Sequence, residues 1–193
     1  MDGKQLDGFI RETFNLSKDE KITPEQLNYG LSMIDPVRYA LSYHTIKGNP
    51  LTFEIPNYDE SKAIAHRPWQ KEILRASASD ERDVVVIKSR QLGLSELGVM
   101  SCINWLDTHS AQGVRGLYTF PTYRQLQDFY KTRIVPEFQK GYYKSLVNKN
   151  SMSQNKMKIR NSDLFFRSSS SGSSMEGIDV DFVSLDEYDR ELF

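Results

Sequence analysis

The chain has 193 residues, a length that allows one good hydrophobic core and predicts a single globular domain. Its 25 Lys and Arg against 26 Asp and Glu give a net charge of −1, which argues against a histone-like or polybasic binder, although a basic patch fits within a balanced total. The single cysteine, Cys102, cannot form an internal disulfide and predicts a reducing, cytosolic setting. The first residues are too polar for a signal peptide, and no apolar run approaches the length of a membrane span.

The first part of the chain is predicted to be mainly helical. Residues 1–22 form an arm with one amphipathic turn. Thr23 then has the position of a helix cap, with Pro24 at the first helical position and Gln26 placed to complete a capping box. Asp35-Pro36 opens a second helix, and the alternation over residues 51–55 predicts a strand.

Residues 66–74, HRPWQKEIL, contain an aromatic side chain and a glutamine just before a β-branched run. The amide of Gln70 offers a donor and an acceptor, which suits the edge of an adenine base. The alternative is structural: Pro68 starts a helix, Trp69 and Leu74 belong to the core, and Gln70 lies on the surface. We interpret Gln70 as an adenine-binding residue because of the two motifs that follow.

Residues 83–96, DVVVIKSRQLGLSE, read as a strand, a loop and a helix start. The uninterrupted apolar run 84–87 predicts a strand covered on both faces of a parallel sheet. Backbone N–H groups of the loop and of the following helix then make a pocket suited to phosphate. The alternative is an ordinary strand-to-helix turn with two solvated cations.

Compared with the Walker A pattern G-x-x-x-x-G-K-[ST], the loop departs at two positions. Lys88 stands at the first glycine and Leu94 at the lysine, whereas Gly93 and Ser95 match. Lys88 and Arg90 therefore supply the cations for the terminal phosphates from the front of the loop. The Ser95 hydroxyl is predicted to hold Mg²⁺.

The next elements alternate between helix and strand. We predict a helix over 95–105, a strand over 114–120 and a helix from Pro121 to about Phe138. This order implies an α/β fold with a doubly wound, mainly parallel sheet whose ligand lies at the carboxyl edges of the strands.

A cationic segment follows, with a hairpin predicted around residues 161–163. Tyr142 and Tyr143 lie among its cations. Such a segment suits non-specific contacts to a nucleic-acid backbone, and the alternative is a solvated loop and hairpin face. The six cations are Lys140, Lys144, Lys149, Lys156, Lys158 and Arg160.

A second nucleotide motif ends the chain. Residues 180–185, VDFVSL, form an apolar run that leads into two adjacent carboxylates, which is the Walker B form. Asp186 is predicted to hold Mg²⁺ and Glu187 to polarise the water that attacks the terminal phosphate. A strand followed by a solvated acidic turn is the alternative for this segment alone, but both motifs occurring in order favour a nucleotide site.

Together these motifs resemble the large terminase subunits of tailed bacteriophages and related viruses, which package DNA into procapsids. The segments that carry the resemblance are RPWQKEIL, KSRQLGLSE and VDFVSLDEYDR, the last preceded by SSSSGSSMEGID. The resemblance covers about residues 35–190. It implies a P-loop ATPase core of the ASCE or RecA-like type over 61–193, truncated after Walker B, and an N-terminal helical lid subdomain over 1–60.

The resemblance also implies ligands, partners and site residues. ATP and Mg²⁺ are the expected cofactors. Double-stranded DNA, the procapsid portal, the small terminase subunit and further copies in a ring are the expected partners, in the cytoplasm of the host cell. Nucleotide-binding positions carried over from the motifs are Gln70, Lys88, Ser89, Arg90, Gln91, Gly93 and Ser95, with Glu187, Lys88 and Arg90 in catalysis.

Arginines that act across subunits neutralise charge in ring ATPases, and Arg124 and Arg133 are the candidates here. Because only six residues follow Glu187, we expect this chain alone to bind ATP weakly, with low or absent hydrolysis. Two alternatives remain: the core of a DEAD-like helicase or translocase, and a non-catalytic fragment that binds DNA through its basic segment.

Overall fold

The computed structural model describes residues 1–53, 69–79, 83–87, 93–147, 151–153, 155–170 and 177–187. Its α-helices are α1 (Gly3–Phe14), α2 (Pro24–Ile34), α3 (Pro36–Tyr43), α4 (Gln70–Ser77), α5 (Leu94–Thr108), α6 (Tyr123–Phe129), α7 (Val135–Glu137) and α8 (Gly141–Leu146). Its strands are β1 (Thr45–Ile46), β2 (Asn49–Pro50), β3 (Arg115–Phe120), β4 (Met152–Ser153), β5 (Lys156–Ile159), β6 (Ser162–Ser168) and β7 (Phe182–Leu185). A 3₁₀ turn covers Ser110–Gln112, and a π-helical turn, Tyr130–Ile134, joins α6 to α7. Among the helices within these ranges, none combines the length and the apolar character needed to cross a bilayer.

The helix starts in the first part of the chain are made by local side-chain caps. The Thr23 hydroxyl accepts a hydrogen bond from the Gln26 backbone N–H at 3.3 Å, and Gln26 Oε1 accepts one from the Thr23 N–H at 2.8 Å. Asp35 caps α3 by accepting from the Val37 N–H at 3.0 Å. Both predicted helix starts are therefore confirmed. The helices begin at these residues because each cap satisfies backbone amides that have no partner inside the helix.

The strand predicted over residues 51–55 is not seen as a ladder. Thr52 alone forms a bridge, and residues 54 and 55 lie outside the described ranges. The short hairpin of β1 and β2 precedes it and turns at Lys47 and Gly48, which both have positive φ.

The five-stranded sheet has the order β4-β5-β6-β3-β7 and is mixed. Strand β3 pairs in parallel with β6 and with β7, so that Leu117 lies between Phe165 and Val183. Strand β5 is antiparallel to both of its neighbours, β4 and β6, and the β5–β6 pair confirms the predicted hairpin. Three parallel strands with their carboxyl ends at one edge are therefore combined with an antiparallel extension.

The main core lies on the sheet face that carries Tyr118 and Phe166. Leu106 of α5 approaches Gly116 and Leu164 on this face, and Phe129 of α6 stacks on Tyr118 with ring centroids 6.2 Å apart. Helices α5 and α6 thus pack on the same face. The fold is mixed α/β as predicted, but a doubly wound arrangement with helices on both faces is not confirmed by the described residues.

The amino-terminal helices belong to the same core. Tyr39 of α3 is fully buried, and its hydroxyl donates to Asp107 Oδ2 at 2.8 Å. Asp107, near the end of α5, also accepts from the Tyr142 hydroxyl at 2.7 Å and from Arg160 Nε at 2.5 Å. This buried carboxylate joins α3, α5, α8 and the β5–β6 turn.

The prediction of a strand over Val84–Ile87 is wrong. Residues 83–87 form no ladder, and Val85 and Ile87 are 86% and 98% exposed. An apolar run becomes a buried strand only where it can pair with a neighbouring strand and pack against a layer that covers it. In the described sheet both sides of β3 are taken by β6 and β7, and the run 84–87 lies outside it.

Candidate functional site

The candidate site lies at the carboxyl edge of β3 and β7. The parallel register pairs Thr119 with Leu185, and the Asp186 N–H continues it by donating to the Thr119 carbonyl at 3.3 Å. Asp186 and Glu187 therefore leave the sheet directly beside the segment that links β3 to α6. The predicted position of the acid pair at the end of a parallel strand is confirmed.

Tyr118 links this acid pair to the start of α5. Its hydroxyl lies 3.0 Å from the Ser95 carbonyl oxygen and 3.3 Å from Asp186 Oδ2. A tyrosine hydroxyl has one hydrogen, and both neighbours are acceptors, so the hydrogen is shared or alternates between them. The backbone carbonyl of Ser95 and the carboxylate of Asp186 are thus brought to one buried hydroxyl, so the two residues predicted to hold Mg²⁺ lie near each other in the fold.

The environment of Tyr118 keeps this hydroxyl protonated. Burial, followed by the negative charge of Asp186, raises the pKa of Tyr118 well above its usual value. Tyr118 is therefore a hydrogen-bond donor over the whole physiological pH range. Asp186 is itself only 8% exposed, so its charge faces the protein at this edge.

Helix α5 can approach the sheet closely because of a glycine. A Cβ placed on Gly98 would lie 3.0 Å from the ring and the hydroxyl of Tyr118 and 3.2 Å from Ser184 Oγ. At the start of the helix Gly93 has φ of 74°, a left-handed conformation that glycine adopts without strain. Because Gly93 has no side chain to cap α5, the helix N-terminus is suited to an anion.

Glu187 follows Asp186 in a conformation rare for a residue with a side chain. Its φ is 54°, in the left-handed region, and its Oε2 accepts from Gln125 Nε2 at 3.4 Å. Gln125 belongs to α6, whose N-terminal cap is Thr122. The acid pair therefore diverges, with Asp186 directed to Tyr118 and Glu187 to α6.

The other predicted nucleotide positions are only partly described. Lys88, Ser89, Arg90 and Gln91 lie outside the described residues, so their predicted roles stay predictions. Gln70 is the first residue of α4 and is 1% exposed. This burial differs from the surface position of the structural alternative, and it also leaves no exposed side chain for an adenine base to contact. Leu74 is buried, as that alternative predicted.

Glu96, one residue beyond Ser95, belongs to a buried polar group that the sequence did not indicate. Its Oε1 lies 3.1 Å from Nε2 of the buried His44, and its Oε2 accepts from Arg133 at 3.4 Å. His44 Nδ1 is also 3.3 Å from the Tyr143 hydroxyl. The first turn of α5 is thereby tied to the end of α3 and to the π-helical turn.

The two candidate trans-acting arginines differ in their surroundings. Arg133 contacts Glu96 of its own chain and has a side chain that is 40% exposed. Arg124 is exposed in the first turn of α6, close in sequence to the carboxyl end of β3. Of the two, Arg124 has the position from which a side chain reaches outward beside the candidate site.

The cations of the predicted basic segment differ in their surroundings. Lys140 and Lys144 are exposed around the start of α8, and Lys156 and Lys158 are exposed on β5, where Lys156 pairs with Asp163 at 3.0 Å. Arg160 instead binds the buried Asp107, and although burial opposes its charge, that carboxylate raises the pKa of Arg160. Lys149 lies outside the described residues.

The donor set at the edge fits Mg²⁺ as it is bound with nucleotides. This ion takes one or two carboxylates, and phosphate oxygens and waters complete its octahedron. Asp186 offers the carboxylate, and the backbone carbonyl of Ser95 contacts the same tyrosine hydroxyl. No group of three His, Cys, Asp or Glu side chains suited to a metal is found in the part of the chain that the structure describes.

Sequence reasoning missed Tyr118, Thr122 and Gln125. Tyr118 lay inside a strand correctly predicted from its apolar run, and nothing in the run distinguishes its hydroxyl. The spacing Thr122-x-x-Gln125 does carry a signal, since a hydroxyl three residues before a glutamine is typical of a helix start.

Comparisons of the chain with models of protein families, with curated proteins and with solved structures find no match. The class that the fold itself defines is a mixed α/β protein with a five-stranded mixed sheet.

Proposed function

We propose that this chain is the ATP-binding and ATP-hydrolysing domain of a viral DNA-packaging motor of the terminase large-subunit type. The observation that carries the proposal is the contact of one hydroxyl, that of Tyr118, with both Ser95 and Asp186. Phosphoryl transfer needs the phosphate-binding segment and the acid pair side by side. The contact of Ser95 and Asp186, 91 positions apart in the chain, with one hydroxyl supports such an arrangement.

Each side chain then has one task in the proposed reaction. Lys88 and Arg90 neutralise the terminal phosphates, and the N-terminus of α5 receives phosphate oxygens. Asp186 and Ser95 would hold Mg²⁺, which would neutralise part of the phosphate charge. The Tyr118 hydroxyl, through its contact with the Ser95 carbonyl, keeps α5 at the edge of the sheet.

Glu187 has the task of orienting and polarising the attacking water. Gln70 is assigned to the adenine by its sequence motif alone, since its side chain is buried and would have to become accessible to meet the base. Catalysis comes mainly from positioning and charge neutralisation, as in other phosphoryl transfers. The P-loop fold of the ASCE type, the ring of several copies, the portal and small-subunit partners and the duplex DNA are further parts of this proposal. Their support is the resemblance of the three sequence motifs.

The test is Mg²⁺-dependent binding of ATP by the chain, measured by calorimetric titration. We expect weak binding that disappears when Mg²⁺ is removed by chelation. Lys88→Ala and Asp186→Asn should each weaken binding roughly tenfold or more, because each removes a charge from the phosphate–metal group. Glu187→Gln should bind as tightly as the parent, since it acts on water.

Lys18→Ala is the matched control, because Lys18 is an exposed lysine in the turn after α1. It should bind ATP as the parent does. A parent chain that does not bind Mg-ATP, or a Lys88→Ala chain that binds it equally well, would overturn the proposal.

A further inference from the structure

The side chain of Glu187 is held from α6 through a short relay of hydrogen bonds. The Thr122 hydroxyl donates to Gln125 Oε1 at 2.8 Å, and Gln125 Nε2 donates to Glu187 Oε2 at 3.4 Å. The carboxylate of Glu187 determines which end of the amide is which, since an ionised carboxylate only accepts hydrogen bonds, whereas a hydroxyl can both donate and accept. The NH₂ group of Gln125 is thereby directed to the carboxylate.

The backbone places these three residues together for a simple reason. Strands β3 and β7 are parallel neighbours, so the residues that follow them emerge at the same edge. Strand β3 ends at Phe120 and α6 begins at Tyr123, with Thr122 as its cap. The Gln125 N–H also donates to the Thr122 hydroxyl, at 3.3 Å, so the cap and the relay share one oxygen.

We propose that Gln125, itself oriented by Thr122, is a positioning residue that sets the direction of the Glu187 carboxylate in the hydrolysis of ATP. This inference rests on the proposed function. The hydrogen bond from Gln125 to Oε2 restricts the plane of the Glu187 carboxylate, and with it the direction in which the carboxylate meets a water. The left-handed backbone of Glu187 turns the side chain toward α6, away from Asp186.

Because of its position, Gln125 should affect the rate of hydrolysis without affecting the binding of the nucleotide. Its side chain contacts Thr122 and Glu187, whereas Ser95 and Asp186, which are assigned to phosphate and metal, contact Tyr118. Removal of the amide should therefore lower the rate of the chemical step and leave the dissociation constant for Mg-ATP unchanged. A residue that only supports the fold would change both.

The experiment compares the parent chain with Gln125→Ala, Gln125→Glu, Thr122→Val and Thr122→Ser. Gln139→Ala is the control, because Gln139 is an exposed glutamine after α7. Binding of Mg-ATP is titrated, and hydrolysis is followed in single turnover with the chain in excess. In the NMR spectrum the side-chain amide signal of Gln125 is recorded in the parent and in Glu187→Ala.

We expect Gln125→Ala to slow single-turnover hydrolysis roughly 10- to 100-fold at unchanged Mg-ATP affinity, the scale of a misplaced catalytic group. Gln125→Glu should be slower still, because it places a second carboxylate against Glu187. Thr122→Val should be slow, and Thr122→Ser, which keeps the hydroxyl, should restore the rate of the parent. The amide signal should shift in Glu187→Ala and remain in place in the control.

Equal rates for Gln125→Ala and the parent would overturn the inference while the proposed function stands. In a chain that binds Mg-ATP without measurable turnover, the amide signal decides, and an identical signal in the parent and in Glu187→Ala overturns the inference. Failure of the parent to bind Mg-ATP is a separate result. It refutes the proposed function, and the role of Gln125 in hydrolysis with it.

Discussion

Gly98→Ala tests whether α5 lies against the edge of the sheet as closely as the structure indicates. The new methyl group would lie 3.0 Å from the Tyr118 ring and hydroxyl and 3.2 Å from Ser184 Oγ. The Tyr118 ring has little freedom to move away, since it is 1% exposed and stacks on Phe129. Overpacking of this kind costs about 1–3 kcal/mol.

The steric cost is offset in part by helix propensity, because alanine is favoured over glycine inside a helix by about 1 kcal/mol. Gly8→Ala supplies the matched control. Gly8 lies within the exposed part of α1, and a Cβ there would have no heavy atom within 4 Å. The control should be more stable than the parent by about 1 kcal/mol, whereas Gly98→Ala should be less stable by about 1 kcal/mol.

The assay is urea unfolding followed by far-UV circular dichroism and by tryptophan fluorescence. Trp105 of α5 stacks on Phe182 of β7 with ring centroids 5.2 Å apart, so its emission reports on the same contact between helix and sheet. The difference between the two variants, about 2 kcal/mol, isolates the steric term because both gain the same propensity. Equal stabilisation by the two substitutions would refute the close approach of α5 to Tyr118.

Two further predictions concern the buried polar groups. Asp107→Asn should lower the free energy of unfolding by about 2 kcal/mol, less than a fully buried ion pair would give, because the Arg160 side chain is 39% exposed. Asp7→Asn is the control, since it removes an exposed ion pair with Arg11 within α1, and it should cost less than about 0.5 kcal/mol in the same urea assay. Equal costs for the two variants would contradict the role of Asp107. Burial raises the pKa of Tyr118 and of Tyr143, so the folded chain keeps protons that the unfolded chain loses above its tyrosine pKa of about 10. The contribution of these two tyrosines to the free energy of unfolding should therefore be fully present below pH 10 and fall as the pH rises above it. An absorbance titration should show both tyrosines ionising together with the loss of circular dichroism. Ionisation of all 10 tyrosines in a chain that remains folded would contradict this.

Much of the local structure could be predicted because its causes lie within a few residues. The cap of α2 is made by Thr23 and Gln26, three positions apart. The apolar spacing that predicted a helix over 95–105 corresponds to the inward face of α5, where Leu97, Met100, Ile103 and Leu106 are all buried. Strands β3 and β7 and the β5–β6 hairpin were likewise evident from short apolar patterns and turn residues.

The same local reasoning was wrong for Val84–Ile87, although this run has the strongest strand composition in the chain. Composition measures how well a segment suits a sheet, whereas pairing depends on which strand occupies the neighbouring position. Arg160 shows the same limit, because a cation in a basic segment was expected to face solvent and instead binds a carboxylate 53 positions away.

The sequence by itself determined the caps, the helix faces, the parallel strands around β3 and the presence of an acid pair at the end of β7. Only the tertiary structure decided that Asp186 meets Tyr118, 68 positions away, and that Glu187 meets Gln125, 62 positions away. The physical reason is that hydrogen bonds and close packing act over a few ångströms, while separations of this size along the chain leave the distance between two side chains to the fold.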